Sequence, residues 1–260
     1  MNKLMFGMGN SKLSDFIATF SLPAGWTCPS AKECQSRTDR FTGKITDGKN
    51  CRFRCFAASN ECRATTVRNA RWRNFEYLKK ARSVQGMADL IQRSLPFGVQ
   101  KVRLNVSGDF YSESYFLAWL NVAIANPAVI FYGYTKRCSL MVKYRKQAPA
   151  NFILTASKGG TEDSLIEKHN LKYAEVVFST EEARRKGLEL DHDDSHAFTG
   201  NKPFALLLHG TQPVNTDANE AWKEIKRTVG GYNRDKRNAR VEKRVHLIIT
   251  KPLTSLPIAA

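Results

Sequence analysis

The sequence predicts an α/β fold: a parallel sheet, wound as an incomplete (β/α) barrel, with an N-terminal Cys-rich loop. Three observations point there. Short β-branched and aromatic runs alternate with helical stretches from Val102 onward, the pattern of βαβ units. About six such strands come in succession when 16–22 is counted. Hydrophobic residues make up 42% and aromatic residues 10% of 260, enough for a packed core. An open doubly wound sheet fits the same alternation. The chain reads as one domain over 1–260, with a Cys-rich metal loop at 23–63 and a basic C-terminal extension at 233–260.

Each element has a local reason. Phe-Ile-Ala-Thr-Phe-Ser-Leu at 16–22 is short and apolar and stops at Pro23-Ala-Gly25, which predicts a buried strand. The segment after it, at 23–63, reads as a long loop, which a bound metal would order. Residues 64–95 predict one or two helices, broken near Gly86 and ended by Pro96-Phe-Gly98. Strands then follow at 102–106, 129–134, 152–155, 174–178 and 204–208. Helices at 115–125, 140–147, 161–169, 181–186 and 218–228 separate or follow them, with stops at Asn126-Pro127 and Pro149. A last apolar run lies at 245–249.

In parallel α/β folds the working residues sit past the C-terminal ends of strands. Those positions read Ser107-Gly108-Asp109, Thr135-Lys136, Ser157-Lys158-Gly159-Gly160, Ser179 and His209. A buried strand end is a costly place for Asp or Lys unless it is paired or wet. Asp109 and Lys136 are therefore candidate catalytic residues, and Ser107, Gly108, Asp109 and Ser157 candidate cofactor contacts. Helix capping is the competing role for Ser157, Ser179 and Thr180. Asp191-His-Asp-Asp-Ser-His196 forms a second group. Asp191, His192 and His196 suit divalent-metal ligation, and His196 or His209 suits proton transfer. A surface loop rich in turn-forming Asp is the alternative. No Walker A motif, Rossmann fingerprint or Gly-x-Ser-x-Gly elbow occurs, which counts against an NTPase, a simple dinucleotide dehydrogenase and an α/β-hydrolase.

The chain carries 41 Lys+Arg against 24 Asp+Glu, a formal net charge of +17. Such an excess favours a polyanionic partner. Residues 63–82 hold seven cations and one acid, with Arg71, Trp72, Arg73, Phe75 and Tyr77 interleaving charge and rings, as phosphate contact plus base stacking would require. Arg71 and Arg73 here, and Arg234, Lys236 and Arg237 near the C-terminus, are the expected nucleic-acid contacts. A solvated basic helix face with its aromatics in the core is the alternative. No apolar run approaches the roughly 20 residues of a membrane span. The N-terminus lacks a basic region before a long apolar stretch, so no membrane partner and a place in the host cell cytoplasm are expected.

Five of six cysteines fall between Cys28 and Cys62: Cys28-x5-Cys34-x16-Cys51-x3-Cys55-x6-Cys62, with Cys138 apart. Without a secretory signal, metal binding outweighs a disulfide framework. Cys28, Cys34, Cys51 and Cys55 are the candidate ligands, for an iron–sulfur cluster or alternatively zinc. Buried apolar cysteines are the competing reading. Cys51-x3-Cys55-Phe-Ala-Ala58 is similar to the C-x3-C-x2-C run of radical S-adenosylmethionine enzymes, with Ala58 in place of the third thiol. Gly108-Asp109 loosely resembles their Gly-Gly-Glu motif, which implies S-adenosylmethionine as a cofactor.

Several longer blocks resemble the phage family called Gene product 88. They are Leu22-Pro-Ala-Gly-Trp-Thr-Cys-Pro29, Phe53-Arg-Cys-Phe-Ala-Ala-Ser59, Val106-Ser-Gly-Asp-Phe110, Tyr134-Thr-Lys136, Leu154-Thr-Ala-Ser157, Asp191-His-Asp-Asp-Ser-His-Ala197 and Leu207-Leu-His-Gly-Thr-Gln-Pro213. The likeness implies a phage or prophage origin and no assigned reaction. It favours Cys28, Cys34 and Cys55 over Cys51 and Cys62, which suits a three-cysteine [4Fe–4S] cluster with one open iron. The resulting expectation is an iron–sulfur enzyme acting on nucleic acid or a nucleotide, by radical S-adenosylmethionine-like base modification. The rivals are a divalent-metal hydrolase or nuclease with a structural zinc site, and a non-enzymatic nucleic-acid-binding protein.

Overall fold

The computed structural model describes residues 3–9, 13 and 17–229. Phe16, the 233–260 extension with Arg234, Lys236 and Arg237, and the apolar run at 245–249 lie outside the described residues. In chain order, β1 (Gly7–Met8) and β2 (Ile17–Ser21) lead into an insertion. It comprises a hairpin, β3 (Ser36–Thr38) and β4 (Ile45–Asp47), and the helices α1 (Phe56–Arg63), α2 (Thr65–Ala81) and α3 (Val84–Gln92). There follow β5 (Lys101–Ser107), α4 (Glu113–Ala125), β6 (Ile130–Thr135), α5 (Cys138–Tyr144), β7 (Phe152–Ser157), α6 (Ser164–Lys168), β8 (Tyr173–Val177) and α7 (Thr180–Arg185). The described chain finishes with β9 (Glu189–Leu190), α8 (Ser195–Phe198), β10 (Phe204–Leu207) and α9 (Asp217–Thr228).

The main sheet runs β1-β2-β5-β6-β7-β8-β10-β9, parallel throughout except for the β1–β2 pair. From β2 to β10 the strands lie side by side in chain order. That is the winding of a (β/α) barrel; a doubly wound sheet reverses its order at a switch point. Right-handed crossovers then place the helices α4 to α7 on one face. The edge strands β1 and β9 do not pair with each other, so among the described residues the barrel stays open.

Strand periodicity sorts side chains between two cores. Phe131 of β6 faces the helix layer, with Phe20, Val102 and Leu104, against Leu90 and Ile91 of α3 and Tyr115, Phe116 and Trp119 of α4. Trp119 meets Phe20 edge-on at 5.3 Å between ring centres. The strand neighbour of Phe131, Tyr132, faces the concave side with Ile17, Ala174 and Phe204. There Leu13 and Ala197 cover it, and α8 lies over β6 and β7.

Two local expectations shift. The break between α2 and α3 falls at Arg82, in the left-handed region (φ 57°), followed by Ser83, whose hydroxyl accepts the Gly86 N–H at 3.0 Å. Gly86 is thus in the first turn of α3 and breaks nothing. The 23–63 segment is not one loop: it holds the β3–β4 hairpin, paired through Ser36–Asp47, Arg37–Thr46 and Thr38–Ile45.

Candidate functional site

The rim at the C-terminal ends of the strands begins with an irregularity in β5. Thr19 and Ser21 of β2 pair with Arg103 and Ser107, so β5 carries extra residues between the two pairs. Asn105 takes them up in the left-handed region (φ 49°), and its Oδ1 accepts the Tyr115 hydroxyl at 2.9 Å. Bulges of this kind re-aim the chain beside functional sites. Here the chain emerges at Ser107, whose hydroxyl donates to Leu22 O at 2.8 Å, and turns at Gly108 (φ 85°). A Cβ on Gly108 would stand 2.5 Å from Thr27 Oγ1 and 2.8 Å from Leu22 Cβ, so only glycine fits.

Asp109 is buried and accepts three hydrogen bonds: from Thr135 Oγ1 at 2.6 Å, Lys136 N at 2.8 Å and Phe110 N at 2.7 Å. Burial raises its carboxyl above the usual range, while those bonds and the Lys136 charge pull it down. Lys136 is buried too. Its ammonium donates to Ser157 O at 3.0 Å, Ser157 Oγ at 3.1 Å and Lys158 O at 2.7 Å. An ammonium has three donors, so all are spent. Asp109 and Lys136, the expected catalytic residues, thus also hold the rim together. Lys136 braces the ends of β6 and β7 through Ser157, Asp109 braces β5 to β6, and Ser107 ties the end of β5 to Leu22 past β2. Ser179 does cap α7, accepting from Glu182 N at 3.0 Å.

The Cys-bearing segment roofs this rim. Ala31 bridges Gly160, Glu33 N donates to Gly159 O at 3.0 Å, and Ser30 Oγ donates to Glu162 at 2.7 Å. On the other side Arg54 and Gln212 exchange bonds, Arg54 N to Oε1 at 2.8 Å and Nε2 to Arg54 O at 3.1 Å. His209, past β10, lays its ring 4.5 Å from that of Phe56. Gly210 (φ 89°) makes that approach possible, since a Cβ there would meet Phe56 Cβ at 2.8 Å.

Under this roof the thiols gather. Cys28 is pushed well above the ordinary thiol range by burial first, then by Asp109, Cys55 and Cys34. Burial likewise raises Cys34, against the pull of the Lys136 charge. Cys55 is pushed up to about 12, by burial and then by Cys34, although the N–H groups of Ala57 and Ala58 at the start of α1 and the Arg71 charge favour its thiolate. Cys51 is raised by burial and feels Cys34 as well; its thiol donates to Phe53 O at 3.0 Å. Cys34 is thus the common neighbour of the other three. None of the four forms a disulfide. Among the described residues no three His, Cys, Asp or Glu side chains stand at the spacing of a metal-ion site.

Basic residues divide. Arg73 is exposed and stacks its guanidinium 5.3 Å from the Tyr77 ring. Arg71, expected at a phosphate, is buried: Nη1 donates to Glu61 Oε1 at 2.8 Å and to Ala57 O at 2.9 Å. Glu61, fully enclosed, also accepts from Ala24 N at 2.9 Å. It ties α1 and α2 to the start of the Cys segment. The sequence reading missed it, because a lone Glu in a short helix carries no signal of burial.

The Asp191–His196 group lies elsewhere. Asp194 pairs with Arg103 at 2.7 Å on the concave face, and Asp191 accepts from Asp194 N at 3.0 Å and His196 N at 3.1 Å. His196 spans Asp191 at 3.0 Å and Glu189 at 3.1 Å, beside the Phe204 ring. Phe204 begins β10 and His209 follows its end. His196 and His209, expected to act together, thus stand by opposite ends of β10. His192 is exposed.

Among the described residues no helix is long and apolar enough to cross a membrane. A family model described as Gene product 88 matches residues 2–227. No curated protein and no solved structure matches the chain.

Proposed function

We propose that this chain, which belongs to the phage-derived Gene product 88 family, is a metalloprotein that holds an iron–sulfur cluster on Cys28, Cys34 and Cys55 and acts on nucleic acid. One observation carries the reading. Three thiols, two on the turn after β2 and one at the start of α1, none in a disulfide, come within electrostatic reach of one another beside Asp109 and Lys136. Three thiolates are a soft donor set, suited to iron–sulfur or zinc rather than to magnesium or calcium. A cluster with an open iron would supply one-electron chemistry. Cys51 is the fourth thiol that would close a zinc site instead.

The surrounding residues favour deprotonation at each thiol: a backbone bond at Gly25 for Cys28, the Lys136 ammonium for Cys34, and two α1 N–H groups with Arg71 for Cys55. Burial outweighs them while the thiols carry protons. Loading requires the turn bearing Cys28 and Cys34 to draw towards Cys55, since the thiols do not stand at ligating spacing. Asp109 and Lys136 position the rim beneath that turn.

Iron, sulfide and zinc analysis of anaerobically purified protein tests this. Brown protein whose visible absorbance is lost in Cys28→Ser, Cys34→Ser and Cys55→Ser, and kept in Cys62→Ser and Cys138→Ser, is the expected result. One zinc per chain, lost also in Cys51→Ser, selects the closed zinc site. Colourless, metal-free protein overturns both.

A further inference from the structure

The roof carries a surface that the thiol reading leaves unused. Cations and rings alternate along it. The Arg37 guanidinium lies 5.1 Å from the Trp26 ring centre, Trp26 lies 5.8 Å from Trp72, and Arg40 lies 5.3 Å from Trp72 and 5.6 Å from Phe41. Trp26 is 45% exposed and Phe41 83%. Arg37 and Lys44 are exposed on the same hairpin. A scattered apolar residue on a surface is ordinary; a contiguous set of stacked rings and guanidinium groups is not.

The surface is also held rigid. Trp26 Nε1 donates to Thr38 O at 2.9 Å. At the hairpin tip Asp39 accepts from Phe41 N at 3.0 Å and Thr42 N at 2.7 Å. Arg68 anchors the tip to α2 by donating to Arg40 O at 2.8 Å. The tip therefore presents Phe41 to solvent in a fixed pose, with the Arg40 guanidinium beside its ring. Glu76 pairs with Arg40, which leaves Arg37 and Lys44 as the cations that face a polyanion.

We infer that this face binds single-stranded nucleic acid, with bases stacked on Trp26 and Phe41 and phosphates held by Arg37 and Lys44. Fixed rings with interleaved cations are how proteins hold single strands without reading sequence. A duplex keeps its bases stacked on one another and offers these rings nothing to stack. The charge sign agrees, in a chain of net +17. Trp26 stands two residues before Cys28, so a strand held here lies beside the thiol turn. The inference rests on the proposal that nucleic acid is the substrate, but it does not depend on metal.

Fluorescence anisotropy of the full-length protein with a labelled mixed-sequence 12-nucleotide strand, as DNA and as RNA, and with the matching duplex tests it. Single strands are expected to bind more tightly than duplex. Phe41→Ala, whose ring packs against nothing that holds the fold, is expected to weaken single-strand binding roughly tenfold with its salt dependence unchanged. Arg37→Ala is expected to flatten the salt dependence by about one phosphate contact. Trp26→Ala repeats the Phe41 test, with circular dichroism as the check on folding. Unchanged affinity in Phe41→Ala, equal binding of duplex, or no binding overturns the inference. Cys55→Ser protein is expected to keep single-strand binding, and loss of binding there overturns the inference; wild-type protein that binds single strands yet holds no metal refutes only the metal reading, so the two failures are distinct.

Discussion

Removing Arg71 should destabilise the protein strongly while leaving nucleic-acid binding intact. Arg71 and Glu61 form a buried pair at 2.8 Å, with side chains 8% and 0% exposed. Arg71→Met keeps most of the aliphatic stem but strands the Glu61 carboxylate, and breaking a buried pair from one side costs about 3–5 kcal/mol. The loss spreads, because Glu61 also holds Ala24 N and Arg71 holds Ala57 O. At a urea slope of about 2 kcal/mol per molar, the unfolding midpoint should fall by roughly 2 M. The penalty should depend on pH with a definite sign. Burial already raises the Glu61 carboxyl, and Arg71 is the first of the groups that hold it down. Without Arg71 the acid form is favoured further, so the penalty is full above the raised pKa and shrinks as pH falls through the carboxylate range. A double variant with Glu61→Leu should recover part of the loss, as apolar replacement of both partners often does. Tryptophan fluorescence in urea at pH 5 and pH 7 reads all three variants. A cost under about 1 kcal/mol, or weaker oligonucleotide binding at unchanged stability, would refute the reasoning and return Arg71 to the surface.

Three further outcomes follow from the rim and the concave face. Metal affinity measured by chelator competition should rise by up to about tenfold per pH unit for each thiol ligand below the raised thiol pKa values, because each must release a proton; a flat profile counts against thiolate ligation. Gly108→Ala combines a left-handed φ of 85° with a Cβ 2.5 Å from Thr27 Oγ1, so it should cost about 3 kcal/mol, read as a fall in melting temperature of roughly 6–12 °C. For His196, burial opposes the charged ring, but its bonds to Glu189 and Asp191 outweigh burial and raise its pKa. Its contribution is therefore complete below the ordinary histidine value and lost as pH rises through the raised one. Stability should fall over that window in the wild type and stay level in His196→Gln; parallel curves from urea titrations would sink this account.

Much of the fold is legible because its strands are simple. The runs at 102–106, 129–134, 152–155, 174–178 and 204–208 become β5, β6, β7, β8 and β10 within a residue or two. Alternation identifies a parallel sheet, but only the pairing order shows that it is wound as a barrel. The hairpin β3–β4 stays hidden because Ser-Arg-Thr and Ile-Thr-Asp are too short and polar to show strand periodicity. The face of α2 misleads for the opposite reason. Its buried stripe reads Arg68, Arg71, Asn74, Leu78, and three of those four side chains are polar, so a helix face turned inward looks like one turned to solvent.

The site follows a topological rule that composition does not reveal. When strands lie in chain order, residues just past consecutive strands become neighbours on one rim. Asp109 after β5, Lys136 after β6 and Ser157 at the end of β7 therefore meet, however far apart they stand in the chain. The same rule separates His196 from His209, because one lies beside the start of β10 and the other beyond its end. Their sequence spacing carries no such information. What the rule leaves open is the roof, since a segment between β2 and β5 is free to fold away from the rim. Its placement depends on contacts no local pattern announces: the Ala31–Gly160 bridge and the Arg54–Gln212 exchange. These clamp the segment at two strand ends, past β7 and past β10. Cys34 and Cys51 lie between the clamps, and Cys28 and Cys55 lie just outside them. A Gln212→Ala variant that frees one clamp should loosen Cys55, next to Arg54, from Cys34, read as slower disulfide formation between the two under mild oxidation than in the wild type.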